Sequence, residues 1–121
     1  MKKRRISNQI SHIVNFDNFG YNEAMGERRS YSVELKINGR TITEVVIDSH
    51  YELKHADSMD DDIILDLVKL LDGKFYEPEI VKGPFQYFAA DRLELQGTTY
   101  RLVWLLENEK LYVGVVNAFR R

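Results

Sequence analysis

His50 and His55, with Lys54 beside the second, are the residues of this 121-residue chain best suited to moving a proton. Imidazole is the side chain whose ordinary pKa lies nearest neutrality. Two of them can therefore act as base and acid at physiological pH, while an ammonium group beside them holds a phosphate without a metal ion. Arg101 is the next candidate. It sits in the apolar run Tyr100–Leu106, where a guanidinium must reach solvent, pair with a carboxylate such as Glu94 or Glu107, or point into a cleft.

Each of these residues also has a plainer use. A histidine near a strand end commonly serves as a surface hydrogen-bonding group, and Lys54 is by default a solvated side chain. Trp104 and the Tyr and Phe residues are core material first. Asn117 can simply satisfy backbone groups at the end of its strand, and Arg120-Arg121 can be a solvated tail. The third histidine, His12, lies among Ile10, Ile13 and Val14 and reads as a surface or packing residue.

Other chemistries find little support. His50 and His55 lack the i, i+4 spacing that stacks two ligands on one helical face, and no matched third ligand accompanies them, so no metal site is expected. Asp57-Ser58-Met59-Asp60-Asp61-Asp62 has neither the glycine nor the distal glutamate of a calcium loop. A nucleotide-binding glycine loop, a serine-nucleophile elbow and a dehydrogenase fingerprint are all absent, and no cofactor is expected. With no cysteine, disulfides and cysteine-based zinc binding are excluded.

The chain is long enough for one domain with a real core, and 44% hydrophobic with 30% charged residues reads as globular. A net charge of -2 argues against gripping nucleic acid by bulk charge, although a local basic site remains open. Lys2-Lys3-Arg4-Arg5 lacks the apolar run of a secretory signal, and no stretch approaches the roughly 20 apolar residues of a membrane span. A cytoplasmic protein with no membrane partner is the expectation.

The elements that must position the candidates follow from periodicity. Residues 1–29 are a poorly patterned N-terminal segment: a basic terminus, one short amphipathic turn around Ile10 to Phe16, and Phe16, Phe19 and Tyr21 as a cover over the core. Residues 30–121 form a single α+β domain. Val33, Leu35 and Ile37 alternate with charged residues, Asn38-Gly39 suits a type I′ turn, and Thr41 to Ile47 resumes with β-branched residues, so a hairpin is predicted. If its second strand runs on through Tyr51, His50 falls on the face of Asp48 and Val46.

A helix should follow, with Ser58 as N-cap, Asp61 as the acidic partner of a capping box, an apolar stripe of Ile63, Ile64, Leu67, Val68 and Leu71, and Gly73 as its stop. Lys74 to Pro84 reads as a loop. Phe85 to Leu95, Thr98 to Glu107 and Lys110 to Phe119 then read as three consecutive antiparallel strands, the middle one apolar on both faces and central. The expected fold is an α+β domain: an antiparallel sheet of an N-terminal hairpin plus a C-terminal three-stranded meander, with one main helix packed on it.

That element order, with Tyr100-Arg101-Leu102-Val103-Trp104 on an inner strand and Val113 to Arg121 closing the chain, resembles the small RNA-cleaving toxins of the barnase–EndoU–colicin–RelE superfamily over roughly Tyr31 to Arg121. The resemblance implies metal-independent RNA cleavage by a toxin-type protein, with RNA and a cognate antitoxin or immunity protein as partners. It implies His55 or His50 as general base or acid, Lys54 and Arg101 as phosphate holders, and Tyr100 or Tyr112 as a base-stacking or proton-sharing group. Asn117 and Arg120, near the end of the last strand, complete the substrate-binding candidates. The acidic balance departs from the basic character of RelE-like toxins. It leaves open a second class of function, a noncatalytic, phage-, effector- or antitoxin-associated module that binds protein through an exposed sheet edge.

Overall fold

The computed structural model describes residues 27–121. The expectations for Lys2 to Arg5, for His12 and for the cover of Phe16, Phe19 and Tyr21 fall outside the described residues.

The hairpin forms as its alternation requires. Strands β1 (Arg28–Ile37) and β2 (Arg40–Asp48) pair antiparallel, and Asn38 and Gly39 turn between them at φ 56° and 73°. Positive φ at both central residues is the type I′ geometry whose twist matches that of the strands. Asn38 also works at longer range, because its Oδ1 accepts from the Tyr76 amide at 2.7 Å and its Nδ2 donates to the Tyr76 carbonyl at 3.0 Å.

Strand β2 stops at Asp48 instead of continuing to Tyr51. The carboxylate of Asp48, 1% exposed, accepts from the His50 amide at 2.8 Å and starts a 3-10 turn over Ser49–Tyr51. That turn runs directly into helix α1 (Glu52–His55). His50 therefore lies on a helical turn and not on a strand face.

The longer helix, α2 (Asp61–Lys69), is capped by Asp60, whose Oδ1 accepts from the Ile63 amide at 2.8 Å. Ser58 is not its cap: it lies two residues before Asp60, in the turn that closes α1, where the Ser58 and Met59 amides donate to the His55 carbonyl. The described residues thus hold two short helices where one main helix was expected. Ile64, Leu65, Leu67 and Val68 bury the inner face of α2, and Gly73, at φ 80°, follows it and donates to the Lys36 carbonyl.

Six strands of the described residues form one sheet in the order β1-β2-β6-β5-β4-β3. Strands β4 (Phe85–Leu95), β5 (Thr98–Glu107) and β6 (Tyr112–Arg120) pair antiparallel as expected. Two features correct the expected sheet. A fourth meander strand, β3 (Ile80–Lys82), comes from the segment read as a loop and pairs with Phe85 to Tyr87. Hairpin and meander are joined by a parallel pairing of β2 with β6, from Glu44↔Tyr112 to Ile47↔Val115. A parallel pair needs a long crossover, and the chain from Ser49 to Leu111 supplies it.

The inner position of β5 explains its two apolar faces. Tyr100, Leu102, Trp104 and Leu106 join the core with α2, whereas Leu105 lies in a second cluster with Val46, Phe85, Tyr87, Tyr112 and Val116 on the other face. No helix among the described residues is long and apolar enough to cross a membrane.

Candidate functional site

A hollow of about 150 Å³ lies between the Ser49–His55 turn and β6, lined by His50, Tyr51, Leu53, Lys54, His55 and Asn117. Four residues singled out by type in the sequence, His50, Lys54, His55 and Asn117, thus share one concavity. The reason is topological. The parallel register of β2 and β6 ends at Ile47↔Val115, so the helical turn that leaves β2 settles beside the second half of β6, where Asn117 is.

Each lining residue is held differently. The His50 backbone is fixed by the Asp48 carboxylate, and Asp48 in turn faces Arg28, its cross-strand partner, at 3.6 Å. The His55 ring stacks on Phe119 with centroids 5.1 Å apart and planes inclined by 27°. Asn117 accepts from the Ala118 amide through Oδ1 at 2.9 Å, which leaves its NH2 group as donor. Lys54 and Leu53 are exposed, Leu53 by 69%.

Arg101 does not line the hollow. It is the cross-strand neighbour of Phe119, and directly opposed residues share a face of the sheet. The order across this surface is therefore Arg101, Phe119, His55. The partner of Arg101 is neither Glu94 nor Glu107 but Asp91, at 3.6 Å. A bulge between Ala90 and Leu93, with Arg92 at φ 57°, turns Asp91 out of the regular ladder. The same carboxylate takes a two-pronged contact from Arg121, at 2.7 Å from Nε and 2.8 Å from Nη2, which holds the Asp91 carboxyl below its ordinary pKa. Arg121 is thus clamped and is no solvated tail.

The remaining candidates lie elsewhere. Tyr100 is 7% exposed in the core beneath α2 and pairs across the ladder with Arg120, which is exposed. Tyr112 begins β6, at the end away from Asn117. It is 2% exposed and donates to Glu107 Oε1 at 2.7 Å, and burial followed by that contact raises its pKa.

Sequence reasoning missed a group directly behind the hollow. Asp61 receives Arg29 through Nε to Oδ2 at 2.6 Å and Nη2 to Oδ1 at 2.9 Å, the Tyr51 hydroxyl at 2.8 Å, and the Tyr31 hydroxyl. Arg29 also reaches Glu52 Oε2 at 3.1 Å. Burial alone would raise the Asp61 carboxyl, but the bonds from Arg29, Tyr31 and Tyr51 outweigh it and hold the pKa below its ordinary value. Tyr31 and Tyr51 are driven up, first by burial and then by the same carboxylate. The available signal was Arg29-x-Tyr31, a cation and a phenol two apart on one strand face, aimed at whichever acid the helix presents.

Among the described residues, no group of three or more His, Asp or Glu is arranged to hold a metal ion. No protein-family model, curated protein or solved structure matches this chain. Its chemistry has to be read from its own residues.

Proposed function

We propose that the protein is an RNase-like, toxin-type enzyme that cleaves RNA by metal-independent general acid/base catalysis in the hollow at His50, Lys54 and His55. The observation that supports this reading is that His50, Lys54, His55 and Asn117 line one concavity, with Phe119 and then Arg101 beyond it.

One imidazole takes the proton of a ribose 2′-hydroxyl. The 2′-oxygen bonds to phosphorus, the bond from phosphorus to the 5′-oxygen breaks, and the other imidazole gives its proton to the departing oxygen. The products are a 2′,3′-cyclic phosphate and a 5′-hydroxyl. Lys54 and the Asn117 NH2 group stabilise the charge that grows on the non-bridging oxygens. Arg101, one ring away, receives the neighbouring phosphate of a single strand, and a base stacks on the His55–Phe119 pair. RNA is the substrate on this reading, and the sequence resemblance to the barnase–EndoU–colicin–RelE toxins suggests a cognate antitoxin or immunity protein as the natural inhibitor.

A second reading rests on a separate observation. Ile80 and Val81 are 53% and 61% exposed on the short edge strand β3, an apolar edge of the kind that accepts a partner's strand. A noncatalytic interaction module would use that edge. Incubating RNA with the purified protein in chelator separates the two: cleavage that is lost in His55→Ala supports the enzyme, and intact RNA under all conditions supports the module.

A further inference from the structure

Helix α1 has four residues, none of them buried, and no side-chain cap at its start. A single helical turn of this length is unstable by itself, so the contacts at its ends decide where His50, Lys54 and His55 stand. Tyr51 is the deepest of those contacts. Its ring is 3% exposed and lines the hollow, and its hydroxyl is aimed at Asp61 on α2.

Asp61 is not needed as a cap, because Asp60 performs that role. It is instead the meeting point of three elements. Arg29 and Tyr31 reach it from β1, Tyr51 reaches it from the hollow's wall, and Arg29 carries the connection on to Glu52, the first residue of α1. Both carboxylate oxygens are occupied by charge-assisted bonds, the stronger and more directional kind. An aspartate serving only the fold would need to join α2 to β1, whereas this one also fixes the first turn of the histidine segment.

We propose that Asp61 is a positioning residue for the hollow, setting the His50–His55 segment against β6 directly through Tyr51 and, by way of Arg29, through Glu52. The proposal rests on the hollow being the working site. Loss of the Tyr51–Asp61 bond lets the segment drift from Asn117 and Phe119. A displacement of about 1 Å in a catalytic group lowers turnover on the order of a hundredfold, with little change in substrate affinity where most binding contacts persist.

Tyr51→Phe removes one hydroxyl while keeping the buried ring, and Tyr31→Phe removes the matching bond to the same carboxylate from the β1 side, outside the hollow. The imidazole NMR signals of His50 and His55 are recorded for both variants and for Asp61→Ala, with inorganic phosphate titrated as probe and kcat and KM measured on RNA. The expected result is displaced imidazole signals and a lowered kcat at near-constant KM in Tyr51→Phe, with Tyr31→Phe close to wild type. Should Asp61→Ala fail to fold, Tyr51→Phe still decides. Wild-type imidazole signals in folded Tyr51→Phe, or equal disturbance by the two phenylalanine variants, would overturn the proposal. The imidazole signals report position without catalysis, so a wild-type protein that neither cleaves RNA nor binds phosphate overturns the enzymatic reading and leaves the positioning result separately legible.

Discussion

The Tyr51 hydroxyl donates to Asp61 Oδ1 at 2.8 Å, so the wall of the hollow and the first turn of α2 share one carboxylate. Stability and site geometry therefore depend on a common group, and its ionisation is open to measurement.

Acid should unfold the protein through Asp61. Its carboxyl titrates below the ordinary value in the folded chain because the bonds from Arg29, Tyr31 and Tyr51 outweigh burial. A group depressed on folding stabilises the fold above its unfolded pKa of about 3.9, and that contribution disappears as pH falls through the lower folded value. Asp61→Ala should cost about 3–5 kcal/mol at neutral pH, because it takes the acceptor from two hydroxyls and leaves Arg29 with Glu52 alone. Denaturant unfolding at neutral pH and below pH 4 checks this; a variant whose stability falls with acid as steeply as the wild type's would contradict it.

The alkaline limb should belong to tyrosines. Burial pushes the Tyr87 hydroxyl up to about 12 and also raises Tyr31, Tyr51, Tyr76 and Tyr112. A phenol raised on folding contributes stability below its unfolded value of about 10 and loses it as pH climbs through the folded value. Phenolate absorbance followed with pH should show delayed, steep ionisation coincident with unfolding. Smooth titration of all tyrosines near 10 with the fold intact would refute this.

Asn38→Ala should destabilise by about 1–3 kcal/mol, from two lost hydrogen bonds to Tyr76 and the strain of alanine at φ 56°. Tyr76 meets Trp104, the chain's single tryptophan, edge-on at 5.0 Å. Loosening the Tyr76 segment should therefore change the tryptophan emission of the folded variant. Unchanged emission and unfolding midpoint would show that the Asn38 contacts carry no weight.

Asp91 tests the electrostatics beside the hollow. It neutralises part of the charge of Arg101 and Arg121, and exposed pairs of this kind contribute little to folding. Asp91→Asn should fold normally and bind a short oligoribonucleotide more tightly at low salt, with a steeper salt dependence because both guanidiniums are available to phosphate. Equal affinity and equal salt slope for variant and wild type would separate these arginines from RNA binding.

The features legible in the sequence were local ones. Alternation and Asn38-Gly39 announced the hairpin, and the apolar run around Trp104 announced an inner strand. The pairing of β2 with β6 was not legible, because it joins segments more than 60 residues apart and no local pattern encodes it. That pairing nonetheless brings Asn117 to His50. The acid run misled for a related reason: Asp60, Asp61 and Asp62 all look like capping residues, and only the approach of Arg29, Tyr31 and Tyr51 in three dimensions separates Asp61 from its neighbours. Lys54, His55 and Asn117 were recognisable by type. The bulge that sends Asp91 to Arg101 was not, because Asp91-Arg92 reads as two ordinary strand residues.

The most direct test of the central claim is cleavage of a defined oligoribonucleotide in chelator, with the product ends identified, by wild type, His50→Ala and His55→Ala. The account predicts cleavage by wild type to a 2′,3′-cyclic phosphate and a 5′-hydroxyl, reduced on the order of a hundredfold or more when either imidazole is removed. Undiminished cleavage in both variants, or no cleavage by the wild type under any condition, would contradict it.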